Sequence, residues 1–188
     1  MAAMQAPDDT YLLTSPFSIV KKRFMWLIIL MILSILTGLI IAYYEDALSA
    51  NVLLATFIPM LMSTGGNSGN QASVSLIRSI TLGEVEFSDI GRVIWKEFRV
   101  SLMVGVAMAI VCFGMVSLIY RQVLVSAAVA ITLFVVVVAA KLVGSALPMV
   151  ATKLRLDPAL MASPLITAII DIIALFIYFN VATRILGV

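Results

Sequence analysis

One carboxylate lies deep in an apolar run, and its spacing to two hydroxyls suggests metal chemistry. Asp171 sits in SPLITAIIDIIALFIYF. Ser163 and Thr167 precede it at steps of four, so on a helix the three residues share one face. That face offers two hydroxyls and a carboxylate, all oxygen donors, while Ile166, Ile169, Ile170, Ile172 and Ile173 fill the rest of the surface. Hard divalent cations take oxygen ligands. Mg2+ gives up its waters reluctantly, so one or two carboxylates with several retained waters are enough to hold it. One Asp per chain is a thin site, but two chains about a two-fold axis would present two, and most oligomers are symmetric. The alternative for Asp171 is a structural ion pair with Lys141, the other charge at similar depth. Lys141 can instead reach an interface or a backbone carbonyl.

A second cluster is amidic. Residues 63–73 read STGGNSGNQAS in an otherwise oily chain. On a helix Ser63, Asn67, Asn70, Gln71, Ser75 and Arg78 recur at three- and four-residue steps and form one stripe, interrupted by Val74. Gly65, Gly66 and Gly69 form a smooth patch that lies largely away from the amides. Pro59, one turn earlier, removes a backbone donor and loosens the carbonyls before it. Helix association alone would use small residues and amides in this way. The sharper reading is the wall of a wet pathway, with Asn67, Asn70 and Gln71 replacing bulk water around a hydrated ion. The glycines would widen that passage only if the helix is irregular after Pro59; otherwise they serve packing.

Membrane helices must position both clusters. The chain has 188 residues, 63% of them hydrophobic and 12% charged, with a mean hydropathy of +1.16. A soluble domain is about half apolar and about a quarter charged. Spanning a bilayer takes roughly 20 apolar residues. Five segments qualify, at about 24–44, 51–81, 98–120, 122–150 and 158–184. The charged amphipathic stretch GEVEFSDIGRVIWKEFR between the second and third is expected to lie along the membrane face. Residues 1–23 form a short cytoplasmic or interfacial segment, and 24–188 one membrane domain. Positive charge concentrates at one side: Lys21, Lys22, Arg23, Arg78, Arg92, Lys96, Arg99, Lys153 and Arg155 against Arg121 and Arg184. That places the N-terminus in the cytoplasm and, after five spans, the C-terminus outside. Asp157 before Pro158 reads as a helix cap, with the cytoplasmic mouth of a pathway as its second role.

Composition also excludes some functions. There is no His, the single Cys112 lies in an apolar run as a packing residue, and no nucleophile–base pair or thiolate cluster is evident, so the chain does not read as an enzyme. A formal charge of +2 does not suggest a nucleic-acid partner.

The segment PMLMSTGGNSGNQASVSLIRSITLGEV resembles the second-helix signature of the MgtE-type magnesium channel/transporter family, a proline followed by TGGN-x-GNQ. LRLDPALMASPLITAIIDIIALFIYF is similar to that family's last helix, with its Asp-Pro start and a polar face ending in Asp. The resemblance implies an all-α homodimer of five membrane helices per chain in the inner or plasma membrane. Its pore would run along the two-fold axis, built by the second and fifth helices. It further implies that paired Asp171 residues hold hydrated Mg2+, with Thr167 and Ser163 as neighbours. By the same match, Asn67, Asn70, Gln71, Gly65, Gly66 and Gly69 are pore-side or pore-supporting. Familiar members carry a large cytosolic sensor with paired CBS modules ahead of the membrane part. Here about 24 residues precede the first span, so sensor-driven gating of that kind is not expected of this sequence. The expected function is a divalent-cation channel or transporter. Its alternatives are a Na+- or H+-coupled carrier using Asp171 as coupling site, and a non-transporting membrane subunit.

Overall fold

The computed structural model describes residues 15–154 and 163–187. Among them are six α-helices and no strand: α1 Pro16–Tyr43, α2 Glu45–Ala50, α3 Leu53–Thr81, α4 Ile90–Tyr120, α5 Val123–Lys153 and α6 Ser163–Leu186. Four are long and apolar enough to cross a membrane: α1, α4 with its leading turn, α5 and α6. α3 is long enough at 29 residues, but its amides and hydroxyls hold its hydropathy below that of the other four. Leu27, Met31 and Ile35 on α1, and Met103, Val106 and Ile110 on α4, face outward. Apolar surface this extensive suits lipid rather than water. The molecule is an all-helical, multi-pass membrane protein.

Two boundaries differ from the sequence expectation for one reason. Ser15 caps α1, its hydroxyl accepting from the Ser18 N–H at 3.3 Å, with Pro16 in the first turn. The helix then runs through residue 24 without a break. Likewise, the charged stretch expected along the membrane face is largely the start of α4. A 3-10 turn at Phe87–Asp89, closed by a Glu86/Asp89 capping box, launches that helix. Its 31 residues rise about 46 Å, well beyond a hydrocarbon core of about 30 Å. Hydropathy registers only the buried part of such helices. Trp95, exposed near the start of α4, has the Arg99 guanidinium 5.8 Å from its ring centroid.

α5 is the central helix, packed against α3, α4 and α6; α3 also packs on α6, and the principal partner of α1 is α6. Leu54, Phe57 and Leu61 of α3, Leu133 and Val137 of α5, and Leu175 and Phe179 of α6 form the main core, with Cys112 of α4 buried beside them. α4 and α5 are joined by two residues, possible because Arg121 adopts a left-handed conformation (φ 54°) and closes the α4 C-terminus onto Ser117 O. α3 stays helical through Pro59. One turn before it, the buried Tyr178 hydroxyl of α6 donates to Leu54 O at 2.9 Å. α3 and α5 approach closely where Gly144 lies against the backbone of Gly69. Only two glycines allow that crossing.

Candidate functional site

The α3 helix separates the opening motif into two faces. Ser63, Asn67, Gln71, Ser75 and Arg78 are exposed on one side, with Val74 among them. Gly65, Gly66, Ser68, Gly69, Ala72 and Ser73 are buried on the other. The glycines therefore do not share the amide stripe. A methyl at Gly65 would meet Val136 Cγ1 at 2.7 Å and Ile170 Cγ2 at 3.0 Å, and one at Gly69 would meet Ala140 O at 2.9 Å. Gly66 leaves room for Thr167, whose Cγ2 would lie 3.0 Å from an added methyl. Asn70 is half-buried at the edge of the stripe and reaches across to α6, its Nδ2 donating to Thr167 Oγ1 at 3.0 Å.

That hydrogen bond ties the amide motif to the wall carrying Asp171. Thr167 and Asp171, four residues apart, line one groove of about 420 Å³, together with Pro164 and Ala168. The opposite side comes from elsewhere: Leu30, Ser34 and Thr37 of α1, and Met62 of α3. The sequence reading did not include these four residues. A signal existed for two of them, because Ser34 and Thr37 are hydroxyls on one face of an apolar helix, at four- and seven-residue steps from Leu30. The Ser163 side chain and Asp157 lie outside the described residues.

The electrostatics of the groove are those of an acceptor site. Asp171 Oδ1 and Asn70 Oδ1 are buried and have no hydrogen-bond partner among the described residues. Lys141 is buried on α5, but the one ion pair among the described residues is Arg92–Asp89, 3.4 Å apart and exposed. Asp171 is thus not neutralised by Lys141. Among the described residues no three Asp, Glu, Cys or His side chains gather within one chain. A carboxylate with nearby hydroxyl and amide oxygens can hold a cation through its water shell, but is too sparse to strip and encage one.

Comparison with known proteins gives the chain's family. The MgtE family model, described as a divalent cation transporter, matches residues 58–181, from the turn holding Pro59 into the last turns of α6. A protein named magnesium transporter MgtE from Bacillus subtilis is 37% identical over 171 residues, covering 90% of this chain and 38% of its own. Its namesake from Thermus thermophilus is 33% identical over 186 residues, covering 99% of this chain and 41% of its own. That of Enterococcus faecalis is 30% identical over 169 residues. The chain therefore spans about two fifths of the length of these relatives. Carrying the motif on α3, the acid on α6 and a match across both, the chain belongs to the MgtE family of divalent cation transporters.

Proposed function

We propose that two copies of this chain form a membrane pathway for a hydrated divalent cation, Mg2+ foremost, held between paired Asp171 carboxylates at the two-fold axis. The observation that carries the reading is the outward amide stripe of α3 next to the Asp171 groove. Lipid cannot hydrogen-bond, so Asn67 and Gln71 at membrane depth need water or a polar partner. A second copy related by a two-fold axis supplies both: its own stripe opposite, and an aqueous gap between. The relatives' printed name, magnesium transporter, supports Mg2+ as the substrate.

In this arrangement the carboxylates supply the attraction, and pore width and retained hydration supply selectivity. The basic flanks favour a cytoplasmic N-terminus and an external C-terminus. Inward movement is driven by the membrane potential, roughly 2.3 kcal/mol per elementary charge per 100 mV and about twice that for a divalent ion.

The test is flux through the purified chain in liposomes, with a panel of Mg2+, Mn2+, Co2+ and Ca2+. Mg2+ entry is expected under a potential alone. Entry that requires a Na+ or pH gradient would transfer Asp171 to the coupled-carrier reading, and no flux under either condition would favour a non-transporting subunit. Asn67→Leu or Gln71→Leu is expected to lower Mg2+ flux about tenfold, because each removes one hydrogen-bonding group from a wet wall. If these variants weaken only dimerisation on a sizing column, the stripe is a packing surface.

A further inference from the structure

We propose that α1 is the third wall of the cation site, with Ser34 and Thr37 acting as acceptors for the water shell of the divalent ion held at Asp171. The inference rests on the proposed function and extends its site to a helix the family motif does not reach. A hydrated Mg2+ turns its water oxygens inward to the metal and its hydrogens outward. Its surroundings must therefore accept hydrogen bonds. Six waters at about 30 Å³ each need about 180 Å³, and the groove of about 420 Å³ holds that with room to spare.

The hydroxyl hydrogen bonds along this wall make acceptors of the two residues. Ser34 Oγ donates to Leu30 O at 3.0 Å, and Thr37 Oγ1 donates to Leu33 O at 3.2 Å. With each hydroxyl proton committed to its own helix, both oxygens offer lone pairs to the groove. One N–H of the Asn70 amide is likewise committed to Thr167 Oγ1 within the protein. The Ser34 and Thr37 donors are thus used internally, and the groove they line also holds the Asp171 carboxylate. Back-bonding of Ser and Thr to a carbonyl one turn earlier is common in helices and needs no ligand. What distinguishes Ser34 and Thr37 is that both lie on the face of α1 turned to a carboxylate without a counter-charge among the described residues.

Ser34→Ala, Thr37→Val and the double variant, reconstituted as the full chain in liposomes, test this. The double variant is expected to raise the half-saturating Mg2+ concentration about tenfold, because the ion's water shell then has two fewer acceptors. Maximal flux and melting temperature should be retained, and Thr37→Ser should restore the wild-type value. Ca2+, which adapts to direct and irregular oxygen coordination, should be affected less than Mg2+. If the double variant matches wild type while Asp171→Ala is inert, the α1 wall is refuted and the Asp171 pathway stands. Equal loss for every ion, falling in step with melting temperature, would make these hydroxyls structural and refute it as well. Normal flux through Asp171→Ala would overturn the site reading on which the inference depends.

Discussion

Asp171→Ala is expected to abolish Mg2+ flux while leaving a folded protein. Holding an unpaired carboxylate in a transmembrane helix costs about 2.5–3.5 kcal/mol on insertion scales. Its removal therefore relieves a cost and breaks no native bond, since Asp171 makes no ion pair and its Oδ1 no hydrogen bond among the described residues. Function should respond in the opposite sense. A hydrogen bond to a charged group contributes about 1.5–3 kcal/mol, and the proposed two-fold site would lose two. The expected fall is on the order of a hundredfold to ten-thousandfold. Asp171→Asn keeps the shape and removes the charge, so it separates electrostatics from packing; it should be nearly as defective. Flux into liposomes and melting temperature, measured on the same preparations, give both signs. Normal uptake by a well-folded Asp171→Asn protein would remove this residue from the pathway.

The largest structural effect is expected from Gly144→Val. A Cβ at residue 144 would meet the Gly69 backbone, with the carbonyl carbon at 2.8 Å and Cα at 2.9 Å. Neither helix can yield as a flexible side chain would. Overpacking an interior usually costs about 1–3 kcal/mol through small shifts; here two rigid backbones must separate, and the cost should reach or pass the top of that range. Because the α3–α5 crossing sets the rotation of α3, the amide stripe would turn with it, and flux should fall alongside stability. Gly114→Ala is the control. It has nothing within 4 Å and lies inside α4, where alanine is favoured over glycine by about 1 kcal/mol. A Gly144→Val protein that melts and elutes like wild type would mean that α3 and α5 do not cross at these glycines.

The two variants also mark the division between local and tertiary information. Periodicity alone placed Thr167 and Asp171 on one wall, and the Asn67–Gln71 stripe opposite the glycine patch, because three- and four-residue spacing determines a helical face whatever the neighbours are. Hydropathy located the interiors of α1, α4, α5 and α6. It did not give where α1 and α4 begin, since those starts are set by caps such as Ser15 and Glu86. What no spacing rule contained was which neighbour meets each face. Asn70 binds Thr167 while Asn67 stays on the outer face, because α6 packs along one edge of the motif only. Ser34 and Thr37 join the Asp171 groove because α1 packs chiefly on α6. The sequence by itself determined the apolar helix interiors and their polar faces, and it singled out one acid within α6. The tertiary structure decided which faces meet, because the closeness and rotation of two helices depend on pairings between residues far apart in the chain, as with Gly69 and Gly144.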